Sequence, residues 1–146
     1  MFGHGFTYGG HPVAAAVALK ALEIYTRDRI FETAAARAPQ FQARLAALNQ
    51  HPLVGEARGL GLIGGVELVA DKSDKRAFVP QHGVGAKAVQ FAEAEGLIVR
   101  AVLGDVVTLC PPLVISAAEI DELFDRLTRA LDKTMDWVNA GRLAQT

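Results

Sequence analysis

The sequence predicts an α+β (α/β) fold with elements in the order α-α-β-α-β-β-α, a small mixed sheet covered by helices. Three observations predict it. Apolar residues recur at helical spacing between residues 30 and 48 and again near the C-terminus. Short β-branched runs punctuated by glycine and proline occupy the middle of the chain. Turn signals join these segments directly, with no repeat, low-complexity tract or linker between them.

Residues 2–11 carry glycines at 3, 5, 9 and 10 among Phe2, His4, Phe6, Tyr8 and His11. Glycine at this density permits tight backbone angles and close approach to a ligand. Pro12 then suits the first position of a helix. Residues 13–25 are alanine-rich and apolar on nearly every face, the pattern of a buried helix. Little else in so short a chain is there to bury it, so a missing region or a second subunit is expected to cover it. Asp28 is expected to cap a second helix with Ile30, Phe31 and Ala34 on one face. Pro39 should interrupt or kink that helix before Phe41, Leu45 and Leu48 carry it on to about Gln50.

Residues 60–70 read as one strand broken by Gly61, Gly64 and Gly65, and residues 71–81 as a polar loop. A third helix is expected over 83–95, with Val84, Ala88, Phe91 and Ala92 inward and Gly96 as its stop. Residues 97–102 and 106–110 form two short strands around Leu103-Gly104-Asp105, a hairpin signal. The last helix is the clearest: Ser116 and Glu119 make a capping box, and Ile120, Leu123, Phe124, Leu127, Leu131 and Met135 follow at helical spacing.

Composition narrows the function. Hydrophobic residues make up 51% and charged residues 21%, a balance that argues against disorder and hints at apolar surface meant for a partner. The net charge is -1 and no basic run exceeds two residues, so nucleic acid is not an expected partner. Cys110 is the single cysteine, which suits a reducing compartment. Met1 leads straight into the glycine-rich loop without a basic leader, and the longest apolar stretch, 12–19, stops at Lys20. No membrane span is expected, and the cytoplasm is the expected location. A chain that opens on a glycine- and aromatic-rich loop reads as the interior of a longer one.

Residues 59–64, Gly-Leu-Gly-Leu-Ile-Gly, satisfy the G-x-G-x-x-G pattern of dinucleotide sites. Such a fingerprint follows a strand and opens a helix, whereas here a strand-like Gly-Val-Glu-Leu-Val follows, so a glycine-punctuated strand is the better reading. His4, His11, His51 and His82 show no i,i+4 pairing and no neighbouring cysteine, so no metal site is expected. Cys110, at a strand end before two prolines, is expected to be a packed core thiol. The 2–11 loop is rich in N–H donors, carries the Thr7 hydroxyl and enters a helix at Pro12. It suits either a purely structural loop or one that holds an anion such as phosphate.

The stretch FGHGFTYGGHPVA (2–14) resembles the HG-[FY]-T-Y-S-G-H-P-x-A segment of class III pyridoxal-phosphate aminotransferases, especially the omega-amino acid:pyruvate type. Three more stretches resemble the family in order and spacing. They are VGEARGLGLIGGVEL (54–68), GLIVR (96–100), and LCPPLVIS (109–116) followed by EIDEL (119–123). The resemblance covers nearly the whole chain and implies the C-terminal small domain of a fold-type-I transferase. Residues 1–27 would be the tail of the large domain, with the cofactor-phosphate loop and an interface helix, and 28–146 the small domain.

The resemblance also implies amino transfer from an amino donor to a keto acid such as pyruvate, with pyridoxal 5'-phosphate as cofactor, in a homodimer. Phe6 and Thr7 match the residues that reach across the dimer to the cofactor phosphate, Thr7 through its hydroxyl. Arg100 matches the mobile arginine that grips a substrate carboxylate; read without the family it is a charge at the end of an apolar strand. Gly9 departs from the family's usual serine and removes a hydroxyl near the phosphate loop. The Schiff-base lysine has no counterpart: Lys20, Lys72, Lys75, Lys87 and Lys133 all lie outside the family's lysine context. No catalytic residue is therefore assigned, and the chain alone is expected to be inactive. The alternative is a non-catalytic binding or dimerisation module derived from the same family.

Overall fold

The structure, a computed structural model, describes residues 3, 5–102, 104–141 and 143–144. Phe2, His4 and Leu103, the first residue of the hairpin signal read from the sequence, lie outside them. Helix α1 spans Pro12–Arg27 and α2 spans Ile30–Ala47, followed by a 3-10 turn over Leu48–Gln50. Strands β1 (Val54–Leu60) and β2 (Ile63–Leu68) come next, then α3 (Val84–Ala94), β3 (Arg100–Val102), β4 (Val106–Leu109) and α4 (Ala117–Gly141). The α+β class is as predicted, with two corrections to the sheet. Residues 54–68 form a hairpin where one interrupted strand over 60–70 was expected, and the sheet is antiparallel throughout rather than mixed, in the order β1-β2-β4-β3.

Both corrections have one cause. Leu60 pairs with Ile63, so Gly61 and Leu62 form a two-residue loop with Gly61 at φ 60°. Glycine at the first position of such a loop satisfies a turn that matches strand twist. The glycine read as an interruption is thus the reversal itself, and each reversal adds an antiparallel neighbour.

Three helix ends also differ in detail from expectation or bear it out. Asp28 closes α1 instead of capping α2, and Arg29 enters α2 in the left-handed region at φ 51°. The helix α2 runs through Pro39 without a break, because the surrounding packing holds its buried Phe41 and Leu45 in place. At α4 the capping box is present as read: Ser116 N–H donates to Glu119 at 2.8 Å and Glu119 N–H to the Ser116 hydroxyl at 3.2 Å.

Helix α2 packs on β1 and β2, α3 on β3 and β4, and α4 bridges α2 and α3. The core runs through Phe41 and Leu45 of α2, Val66 and Leu68 of β2, Val107 and Leu109 of β4, and Ile120, Phe124, Leu127 and Leu131 of α4. Helix α1 contributes no buried residue. Val13, Val17, Leu19 and Leu22 are each more than half exposed. The expectation that this chain cannot cover that helix itself is therefore met.

The α3–α4 seam is closed by charge. Glu95 accepts from Lys133 and from Arg129 at 2.7 Å, while Arg126 donates to the carbonyls of Glu95 and Gly96 at the end of α3. Lys133, then Arg129, holds the Glu95 carboxyl down at about 2, against an ordinary 4.5. A carboxylate with a lowered folded pKa adds stability that is full above its unfolded pKa and is lost as pH falls toward the folded one. Denaturation midpoints should therefore fall between pH 4.5 and 2, and Glu95→Gln should flatten that slope. An unchanged slope in the variant would show that the seam contributes nothing.

Candidate functional site

The loop before α1 is a pair of turns. Gly9 N–H donates to the Phe6 carbonyl at 2.8 Å and His11 N–H to the Tyr8 carbonyl at 3.1 Å. Gly10 lies at φ 76°, which a side chain rarely tolerates. His11 caps α1, its Nδ1 accepting from Ala14 N–H at 3.5 Å, and Pro12 occupies the first turn. Among the described residues, the N–H groups of Thr7, Tyr8 and Gly10 and the Thr7 hydroxyl have no partner. Phe6 and Tyr8 stand more than three-quarters exposed or close to it. Open amides, a hydroxyl and a helix N-terminus together can hold a phosphate.

Arg100 opens β3, the edge strand farthest from β1. Its register partner is Thr108, whose hydroxyl donates to the Arg100 carbonyl at 3.0 Å. Thr108 pairs with Gly65 and Gly65 with Arg58, so these four residues form one cross-strand row. Val66 and Val107 alternate with them and are fully buried, which puts the row on the open face of the sheet. Arg27, Arg29, Arg44, Arg58, Arg126 and Arg129 each pair with a carboxylate. The exposed Arg100 guanidinium pairs with none among the described residues. It remains available to an external carboxylate, which a guanidinium binds with two parallel hydrogen bonds.

The structure does not bring Thr7 and Arg100 together. The loop lies ahead of α1, which meets α2 where the Tyr25 and Phe31 rings lie 5.2 Å apart, whereas Arg100 is on the edge strand farthest from β1. Clefts of about 430 Å³ beside Ile98 and Cys110, and of about 470 Å³ between Phe78 and Asp105, contain neither. Cys110 is exposed and lines the first of these, correcting the expectation of a packed thiol. Its neighbour Leu109 takes the inward position of the alternation, so Cys110 necessarily turns outward.

No lysine offers a desolvated amine. Lys20 pairs with Glu23 at 2.8 Å and Lys75 with Glu56 at 3.0 Å, both at the surface. Lys72 donates to the carbonyls of Asn49 and His51, and Lys133 pairs with Glu95. The half-buried Lys87 lies over the Phe91 ring at 5.0 Å and donates to Gln90. A nucleophilic lysine sits desolvated beside its cofactor, and none of these five is buried. The residues present thus fit the phosphate end of the expected cofactor and not its covalent end. Among the described residues no cluster of His, Cys, Asp or Glu is placed to hold a metal ion, and no helix is long and apolar enough to cross a membrane.

Sequence reasoning missed one element of this region, the junction of Asp105 with the start of α3. Gly104-Asp105 carried only a turn signal, and nothing local connects it to Gly85.

Comparison with known proteins places these features in a family context. The Aminotransferase class-III family profile matches residues 1–131. The chain is 47% identical over 134 residues to putrescine–pyruvate aminotransferase of Pseudomonas aeruginosa, covering 91% of this chain and 29% of that protein. It is 44% identical to chloroplastic gamma aminobutyrate transaminase 3 of Solanum lycopersicum, covering 91% of this chain and 25% of that one. A PLP-bound aminotransferase mutant from Vibrio fluvialis superposes with a TM-score of 0.85 at 39% identity, covering 94% of this chain and 30% of that structure. The chain thus spans less than a third of the length of these relatives.

Proposed function

This chain belongs to the class III aminotransferase family, and on that premise we propose that it forms the phosphate-loop and substrate-grip portion of a cytoplasmic enzyme that moves an amino group from an amino donor to a pyruvate-like keto acid. Pyridoxal phosphate, when bound, supplies the electron sink and carries the amino group between donor and acceptor. Thr7 and the open amides around it bind the phosphate; the exposed Phe6 flanks it. Arg100 grips the carboxylate of the keto acid and orients it. The covalent lysine comes from polypeptide other than these residues, so the chain by itself is inactive.

One observation carries this reading: a glycine-rich loop with open amides and an arginine without a carboxylate partner among the described residues coexist with five lysines that are all engaged at or near the surface. The exposure of both the Thr7 loop and Arg100 supports a homodimer, in which Thr7 of one subunit serves the site of the other. The bare α1 face supports the same arrangement. It also supports the division into 1–27, none of whose described residues is buried, and 28–146, which holds the buried core cluster.

Two measurements test the proposal. The 146-residue chain, mixed with pyridoxal phosphate and reduced with borohydride, should show no stoichiometric lysine adduct by mass spectrometry. Grafted in place of the matching 29% of the Pseudomonas aeruginosa relative, it should support transamination, and Thr7→Ala should weaken cofactor retention. A stoichiometric adduct on the isolated chain, or a folded graft without activity, would overturn it.

A further inference from the structure

Asp105 ties three elements together. Its carboxylate accepts from Gly85 N–H in the first turn of α3 at 2.8 Å. Its carbonyl accepts from Leu68 N–H at the end of β2 at 3.2 Å. Its own backbone sits at φ 55°, next to Gly104 at φ 80°, in the tight turn that joins β3 to β4. The opposing surface is shaped to receive it. A Cβ on Gly85 would lie 3.0 Å from both the Asp105 Cα and its Oδ1, and 3.2 Å from the Ala101 Cβ. Ala101 is the residue after Arg100 and faces α3 while Arg100 faces out.

The three residues of β3 pair with β4 alone, and the strand is an edge with no strand paired on its other side among the described residues. An edge strand this short has few hydrogen bonds to fix its position. The junction at Gly85, Ala101 and Asp105 is its second attachment. A side chain that must reach a carboxylate, and swing away from it, needs a backbone that stays put.

We propose that Asp105, seated on Gly85, is the positioning residue for Arg100. It acts by locking the β3–β4 hairpin against the start of α3, and the inference rests on the substrate-grip role proposed for Arg100. Asp105 does not itself touch substrate. It sets the pivot from which the guanidinium reaches the keto acid.

The test uses the grafted enzyme, with pyruvate as the carboxylate substrate and an uncharged amine as donor. Asp105→Ala should raise KM for pyruvate about tenfold and leave KM for the amine nearly unchanged. Asp105→Asn, which keeps the acceptor oxygen, should recover most of that loss. Gly85→Ala should reproduce the Asp105→Ala signature by pushing the hairpin away, and it serves if Asp105→Ala does not fold. In an Arg100→Ala background neither change should raise KM further, since the residue acts through Arg100. Hydrogen exchange on the 146-residue chain gives an independent readout: the Gly85 amide should exchange faster in Asp105→Ala and remain protected in Asp105→Asn.

If Arg100→Ala raises KM for pyruvate while Asp105→Ala and Gly85→Ala do not, the positioning role is wrong and the grip stands. An additive effect in the Arg100→Ala background likewise overturns it. If Arg100→Ala itself leaves KM unchanged, the grip reading fails, and the positioning role with it.

Discussion

Phe124→Ala is expected to destabilise this protein by about 4 kcal/mol, within the usual range for deleting a buried aromatic ring. The ring is 1% exposed and meets Phe41 edge to face at 5.1 Å between centroids. It sits where α4 crosses α2, so its loss removes burial and an aromatic contact, and leaves a cavity that two helices cannot easily close. Small domains have only about 5–15 kcal/mol of stability in total. Urea denaturation should show a midpoint shifted far downward or no folded baseline at all. Phe31→Ala makes a fair control, because that ring is 59% exposed. Equal effects at the two positions would show that the core assigned here is wrong.

Gly59→Ala comes next, at about 3 kcal/mol, the upper part of the range for overpacking. A Cβ at Gly59 would run into the Ile63 carbonyl oxygen on the paired strand and lie 2.7 Å from Leu45 Cδ2. The first neighbour is backbone and cannot rotate away. The hairpin would have to open, with loss of the Gln42 hydrogen bond to the Gly61 carbonyl at 2.9 Å. Gly5→Ala should be silent, since nothing lies within 4 Å of a Cβ there. Thermal denaturation of the two variants separates them. A Gly59 variant as stable as the parent would mean that the hairpin is not packed this tightly.

These two sites differ in how legible they were. Phe124 could be placed inward from the spacing of Ile120, Leu123, Leu127 and Leu131 alone, because a helix imposes a fixed period on the residues it buries. The capping box at Ser116 and Glu119 was equally local, since its bonds close within one turn. Gly59 was visible only as one glycine among several. Its necessity comes from a strand that lies four residues on in sequence and folds back against it.

The candidate site divides in the same way. The loop at 2–11 could be read from its glycines, Thr7 and the helix start at Pro12 as either a structural loop or an anion holder, and only the resemblance chose between the two. Arg100 could be picked out only through a resemblance, because an arginine at the end of an apolar strand has no pattern of its own. Its freedom from carboxylates depends on which strands flank it, and that is a matter of pairing rather than spacing.

Residue order alone determined the four helices, the capping box at Ser116 and Glu119 and the apolar excess of α1. Each follows from interactions within a few residues or from composition. Tertiary structure decided the hairpin at Gly61, the antiparallel sheet, the outward turn of Cys110 and the seat of Asp105 on Gly85. These depend on contacts between segments far apart in the chain, whose free energy appears only once the segments have met.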